Sequence, residues 1–312
     1  MHAHPNGGGG VRARLTRTTA GVSATVARVT AAPPGPARAA AASPAAPSPA
    51  DRSATADDGT RLHWREQGAG SPVLLLQGQA TAMAGWDRVA AGLAAEFRVL
   101  RTEQRGVAGT DPGPGGRVPE GLTTRDLARD VRAVLDAAGV ATAQVVGHSM
   151  GGKIAQWLAV DAPDRVASLV LLATSAGAAD GVPRDAEAHR LLLAGDGAAR
   201  TRLFFDDDWA AAHPDEVRTF FALDADRPTL RALYRASTEH AALASLGAVS
   251  APTLVVHGTE DRLAALASAE RLAAAVPGAR LVAVAGARHG LHLDSAEAAA
   301  AVREFLREHA PR

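Results

Sequence analysis

The sequence predicts an α/β protein: a mostly parallel, doubly wound sheet with helices on both faces and an inserted helical lid. Three observations lead there. Short, mostly apolar runs recur at 73–76, 144–146, 166–172 and 253–256, the first of them unbroken, the pattern of strands buried on both faces. Helical patterns alternate with them, as in successive βα units. That rhythm stops over residues 176–250, which hold helical pieces but no clear strand.

Composition sets the outer limits. The chain has 312 residues, of which 47% are hydrophobic and 21% charged, enough for one large α/β core. Basic and acidic residues number 33 each, so no broad nucleic-acid or membrane-surface footprint is expected. No run approaches the length of a membrane-spanning helix. The absence of cysteine excludes disulfides, thiolate metal sites and a cysteine nucleophile. Lys153 is the single lysine, and this arginine bias reads as a genomic habit.

Residues 1–54 read as a disordered, basic extension rich in Ala, Pro and Gly, unable to bury enough apolar surface to offset its ordering entropy. Its first 50 residues hold five arginines and no acid, leaving 28 basic against 33 acidic residues in the remainder. Arg28 interrupts the best apolar stretch and there is no twin arginine. A cytoplasmic protein is therefore expected.

The core is expected over 55–175 and 251–310, with the lid, 176–250, inserted. Leu62, Trp64 and Glu66 alternate with polar neighbours as in an edge strand after the Asp58-Gly59 turn. Pro72 leads into the buried strand 73–76, Trp86–Phe97 reads as a helix, Arg98–Arg101 as a strand, and 103–121 as a long loop. Thr123 or Thr124 can cap the next helix. There Leu127, Val131, Val134 and Leu135 share one face, Asp130 falls among the polar residues elsewhere, and Gly139 ends the element. A strand at 144–146 and a helix at 153–160 follow, then the strand Val166–Leu172. Beyond the lid come the strand 253–256, a helix over Leu263–Val276, a strand over Arg280–Ala285 and a helix capped by Ser295 that runs to about Arg307. The lid aromatics Phe204, Phe205, Trp209, Phe220, Phe221 and Tyr234 are expected to pack individually against the core and together to wall an apolar pocket.

Between the strand at 144–146 and the following helix lies Gly147-His148-Ser149-Met150-Gly151, a G-x-S-x-G match. The bare pattern is weak in a glycine-rich chain; the strand before it and the helix after it give it meaning. A strand that turns directly into a helix forces the middle residue into strained angles and leaves no room for Cβ atoms two positions away. The serine hydroxyl is then presented at the carboxyl edge of the sheet beside a helix N-terminus, where free N–H groups favour an anion. Serine needs a base, and the base needs an acid to orient it. In open parallel sheets such groups gather after strand ends. Asp261 follows the strand 253–256 and His289 follows the strand 280–285, in the chain order Ser, Asp, His. Glu260 and Asp180 stand as alternative acids. His292 lies further from its strand end, Asp294 reads as a helix cap, His257 as structural, and His148 as a flank of the serine whose side chain need not face substrate. The oxyanion donors are expected to be the backbone N–H groups of Met150 and Gln79.

These pieces together resemble the α/β-hydrolase fold superfamily. The resemblance rests on Leu74-Leu-Leu-Gln-Gly78, Gln104-Arg-Gly106 with Gly109-Thr-Asp111, Gly147-His-Ser-Met-Gly-Gly152, Pro252-Thr-Leu-Val-Val-His-Gly-Thr-Glu-Asp261 and Gly286-Ala-Arg-His-Gly290, and spans about residues 55–310. It implies Ser149 as nucleophile, Asp261 as acid and His289 as base. Gln77-Gly78 departs from the His-Gly usual in these families. Ser149 in place of an aspartate, a single tyrosine and the lack of an HGGPG loop set aside haloalkane dehalogenases, epoxide hydrolases and proline iminopeptidases. The expected activity is hydrolysis of a small carboxylic ester or lactone without cofactor or metal. Perhydrolase chemistry, C–C bond hydrolysis and a non-catalytic binding role are the alternatives.

Overall fold

The computed structural model describes residues 50–311 apart from 80, 178, 179, 184 and 195. The extension expected over 1–54 therefore lies outside the described residues up to 49. Its last residues do not follow that expectation: Ala50–Thr55 forms the first strand, β1, and pairs antiparallel with β2 (Arg61–Gln67) through the Asp58-Gly59 turn. The remaining strands are β3 (Pro72–Leu76), β4 (Arg98–Thr102), β5 (Ala143–His148), β6 (Val166–Leu172), β7 (Thr253–Gly258) and β8 (Arg280–Val284). They form one eight-stranded sheet in the order β1-β2-β4-β3-β5-β6-β7-β8, in which only β2 runs against the others.

Because strand side chains alternate between faces, each apolar run supplies two cores. Leu74, Leu76, Val145, Leu169, Leu171 and Val255 face one way, against α2 (Thr124–Ala137), α3 (Met150–Asp161) and α9 (Leu266–Ala275). Val73, Leu75, Val146, Val170, Leu172 and Val256 face the other, against α1 (Asp87–Leu93) and α11 (Ala296–Glu308). This is the doubly wound arrangement.

Local chemistry sets the helix ends. Thr123, not Thr124, caps α2, in a capping box with Asp126. Thr124 instead hydrogen-bonds His240 Nδ1 at 2.8 Å. Asp130 does not lie on a solvated face: it is buried and forms a bidentate pair with Arg105, both contacts at 2.7 Å, so the loop carrying Gln104-Arg-Gly106 is clamped to α2. The helix expected over 86–97 is shorter. It stops at Leu93, whose carbonyl accepts from both Glu96 and Phe97, turning the chain so that Phe97 enters the core and β4 starts at Arg98. The helix expected from Leu263 begins at Leu266, because the N–H groups of Leu263 and Ala264 are taken by Asp261 Oδ1 at 2.8 and 2.9 Å. Ser295 caps α11 as expected. Asp294 is no cap but the last residue of a short α10 (Leu291–Asp294).

Between β6 and β7 lie α4 (Ala186–Leu193), α5 (Gly197–Phe204), α6 (Asp207–Ala212), α7 (Pro214–Phe221) and α8 (Arg227–Thr238). The chain leaves and returns at one neck, where Gly177 bridges Ala241 and the Ala242 N–H donates to the Ala176 carbonyl. A second tie joins the end of α5 to the loop after β8: His289 and Gly290 donate to the carbonyls of Leu203 and Phe204. No helix among the described residues is long and apolar enough to cross a membrane.

Candidate active site

Ser149 joins β5 to α3 with φ +52° and ψ −116°, a conformation L-residues rarely adopt. It persists because its surroundings over-determine it. The Ser149 N–H donates to the Leu172 carbonyl at 2.8 Å, and its own carbonyl accepts from Thr174 Oγ1 at 2.7 Å. The glycines on either side are required by close backbone approach. A Cβ on Gly147 would lie 2.5 Å from the Gly151 carbonyl oxygen, and one on Gly151 would lie 2.1 Å from the Leu76 oxygen.

The partners come from two loops stitched at the carboxyl ends of β7 and β8. Thr259 and Glu260 donate to the carbonyls of Val284 and Ala287, and Gly286 donates to Thr259 Oγ1. The approach is close enough that a Cβ on Gly258 would lie 2.1 Å from the Ala287 oxygen. Asp261 divides its carboxylate. Oδ1 accepts from the N–H groups of Leu263 and Ala264, and Oδ2 accepts from His289 Nδ1 at 2.7 Å. The other imidazole nitrogen, Nε2, stands 3.0 Å from Ser149 Oγ. With Nδ1 donating to the carboxylate, Nε2 is left as the acceptor toward the serine hydroxyl. Burial alone would raise the Asp261 carboxyl, but His289, His257 and the Ala264 N–H together hold the group below its ordinary value.

Ser149, Asp261 and His289 are thus brought into one hydrogen-bonded line, and the alternatives are not. Glu260 is exposed. Asp180 is buried, and its Oδ1 accepts from the Val182 N–H. His257 donates from Nε2 to the Ala264 carbonyl at 2.7 Å, with Asp261 Oδ2 at 3.5 Å, so it buttresses the acid's turn. His148 has a part that the sequence reading left undefined. It is buried, and its Nε2 donates at 2.9 Å to the backbone carbonyl of His289, tying the serine turn to the histidine loop. Burial drives its pKa well below the ordinary value, so it stays neutral. Its place directly before the serine was the only signal available.

Gln79 lines the same cavity as Ser149, on a loop pinned from behind. Gln104 Nε2 donates to the carbonyls of Gln77 and Gly78 at 3.1 and 3.3 Å, and Thr81 Oγ1 also donates to Gly78. Across a trans peptide the N–H points opposite to the C=O, so the Gln79 N–H is turned away from this anchored side. Gln77, the departure noted above, donates from Nε2 to Glu103 at 3.1 Å, and Glu103 also accepts from the Met83 N–H. Burial pushes the Glu103 carboxyl up to about 7. Met150 is fully buried as the first residue of α3, where backbone N–H groups have no partner within the helix.

The cavity above Ser149 has a volume of about 360 Å³, within the usual range for small-molecule sites. The aromatics of 204–234 divide by role. Phe205 and Phe220 are buried in packing, whereas Phe204, Phe221 and Tyr234 line the cavity. Phe204 meets the His289 ring edge-on at 5.0 Å. Lys153 and Arg200 also lie on the wall. Among the described residues no cluster of side chains has the makings of a metal site.

A model of the alpha/beta hydrolase fold family matches residues 71–296. RutD of Variovorax paradoxus, provisionally named a carbamate hydrolase, is 33% identical over 257 residues, covering 78% of this chain and 94% of that one. The 2-hydroxymuconate semialdehyde hydrolase of a Pseudomonas species is 31% identical, covering 80% of this chain and 92% of the relative. Among solved structures, the enol-lactonase of Burkholderia xenovorans superposes with a TM-score of 0.68 at 28% identity, covering 82% of this chain and all of that one.

Proposed function

The chain belongs to the alpha/beta hydrolase fold family, and from that premise we propose that it is a serine hydrolase that cleaves a small carboxylic ester or lactone through Ser149, His289 and Asp261. The observation that carries the reading is the continuous line Asp261 Oδ2, His289 Nδ1, His289 Nε2, Ser149 Oγ, with contacts of 2.7 and 3.0 Å, opening on a cavity. A serine hydroxyl is a poor nucleophile at neutral pH. His289 takes its proton as Oγ attacks the carbonyl, and Asp261 steadies the imidazolium that forms. The N–H groups of Gln79 and Met150 hold the oxyanion, each worth roughly 3–4 kcal/mol in the transition state. His289 then protonates the leaving alkoxide, and water resolves the acyl-enzyme through the same nitrogen. The sequence of steps needs neither metal nor cofactor.

The helices α4–α8 are read as the lid, since their neck is narrow and three of their aromatic residues, Phe204, Phe221 and Tyr234, line the cavity. Leu193, 62% exposed and on the cavity wall, suits a mouth that receives an apolar acyl chain. The names of two related proteins, an enol-lactonase and a provisionally named carbamate hydrolase, support a small-molecule hydrolase acting at a carbonyl group. The test is turnover of p-nitrophenyl butyrate and labelling by a fluorophosphonate. Both should vanish in Ser149→Ala; turnover that survives this substitution would refute the assignment.

One observation favours a second reading. The 31% identity to a 2-hydroxymuconate semialdehyde hydrolase spans nearly the whole of that relative, so the same serine line could act in C–C bond hydrolysis. A panel of dienoic ketones beside the esters and lactones separates the two by their kcat/KM values.

A further inference from the structure

Arg200, on α5, lines the cavity above Ser149 and is half-buried there. Its guanidinium carbon stands 4.3 Å from the centre of the Phe221 ring, another part of the same wall. Phe221 meets Phe204 edge-on at 5.2 Å, and Phe204 meets His289 edge-on at 5.0 Å. A continuous file of rings therefore leads from the His289 imidazole to this guanidinium. The helix sets the spacing. Arg200 and Phe204 are four residues apart on one face of α5, which puts their Cβ atoms about 5–6 Å apart.

The other formal charges on this wall are engaged. Lys153 Nζ donates to the Ser237 carbonyl at 2.8 Å and to its hydroxyl oxygen at 3.3 Å. Arg262 pairs with Asp185 at 2.7 Å and Glu187 at 2.8 Å. Asp261 faces His289, and Asp180 is only 3% exposed, with Oδ1 accepting from the Val182 N–H. The side chain of Arg200, by contrast, has no hydrogen bond or ion pair among the described residues. Of its nitrogens only Nε is closed off, so Nη1 and Nη2 stay open. Charges withdrawn from water are ordinarily paired, so a half-buried guanidinium without a counter-ion requires a cause. Arginine held on an aromatic face still offers its planar N–H fork, which matches the two oxygens of a carboxylate.

We propose, resting on the ester or lactone reading above, that Arg200 selects the substrate: the molecule cleaved at Ser149 carries a carboxylate remote from the scissile carbonyl, and Arg200 binds it. The Phe204 and Phe221 rings cover the methylene groups between the two ends, and the open nitrogens close on the carboxylate oxygens.

Mono-p-nitrophenyl adipate and p-nitrophenyl hexanoate have acyl chains of equal length, one ending in a carboxylate and the other in a methyl group, so the pair is the probe. A hydrogen-bonded charge pair of this kind should favour the adipate ester in kcat/KM by about tenfold or more. Arg200→Met keeps an apolar stem against Phe221 and should bring the ratio of the two kcat/KM values to about one, while Arg200→Lys, which restores the charge without the fork, should recover part of it. Calorimetric titration of the Ser149→Ala chain reads the same site without turnover. Monomethyl adipate, an anion at neutral pH, should bind about tenfold or more tighter than the neutral dimethyl adipate, and Arg200→Met in that background should erase the difference. Equal kcat/KM values for the two esters, with turnover lost in Ser149→Ala, would overturn the role of Arg200 and leave the hydrolase reading standing. Hydrolysis of neither ester, with the anion still preferred in the titration, would overturn the hydrolase reading and support the carboxylate site. A preference for the anion that survives in an Arg200→Met variant of unchanged melting temperature would overturn the assignment to Arg200.

Discussion

Replacing Asp261 by asparagine tests the proposed relay at its most constrained point. The carboxylate serves two masters: Oδ1 accepts from two backbone N–H groups at 2.8 and 2.9 Å, while Oδ2 faces His289 Nδ1 at 2.7 Å. An asparagine has one acceptor oxygen, and the two backbone donors claim it. Its amide NH₂ must then face His289, which responds by accepting at Nδ1 and carrying its proton on Nε2. That places a donor, not an acceptor, 3.0 Å from Ser149 Oγ, and the general base is lost without a change of shape. A relay set in the wrong tautomer typically loses ~10⁴ in kcat, or about 5.5 kcal/mol of transition-state stabilisation. The assay is kcat for p-nitrophenyl butyrate, with circular dichroism to verify the fold. Asp261→Ala, by contrast, should also loosen the 261–264 turn and lower the melting temperature. A kcat within tenfold of the parent in a folded Asp261→Asn variant would refute the argument. The acid limb offers an independent check. Asp261's pKa is lowered in the folded state, so its charge contributes stability above the unfolded value of about 3.9, and that contribution is lost as pH falls through the folded pKa. The asparagine variant should lack this part of the acid unfolding.

Three further substitutions probe the frame. Gly151→Ala places a Cβ 2.1 Å from the Leu76 carbonyl oxygen, a clash with main-chain atoms expected to cost about 3 kcal/mol or more in urea unfolding. Arg105→Ala strands the buried Asp130 carboxylate and should cost about 3–5 kcal/mol by the same measurement. Glu103 rises in the folded state from 4.5 to about 7. Its contribution is therefore complete below the unfolded pKa and is lost as pH climbs toward 7, on the order of 3 kcal/mol in all; Glu103→Gln should flatten stability across that window, read from melting temperatures at stepped pH.

The alternating strands and helices were legible because sheet burial leaves a direct trace: a strand covered on both faces is apolar at nearly every position, as β3 is throughout and β6 is apart from Ser168, which is satisfied by Gln144. Ser149, Asp261 and His289 were legible for a related reason. A strand-to-helix turn demands glycines at fixed spacing, and the other two groups must follow strand ends to reach it. Other features had no such trace. Ala50–Thr55 looked like the tail before it, since an edge strand exposed along most of its length needs little apolar content. Asp130 looked solvated, because the arginine that buries it is distant in sequence.

The sequence by itself determined the order of elements, the sharp turn at Ser149 and the residue types gathered at one sheet edge, since each follows from constraints local to a few residues. Only the tertiary structure decided which carboxylate meets His289, that His148 holds the His289 carbonyl, that Gln77 and Glu103 pin the loop beside Ser149, and which aromatics face the cavity. Those outcomes depend on distances between segments far apart in the chain, and such distances are fixed by how the two cores pack rather than by any periodicity a single strand or helix carries.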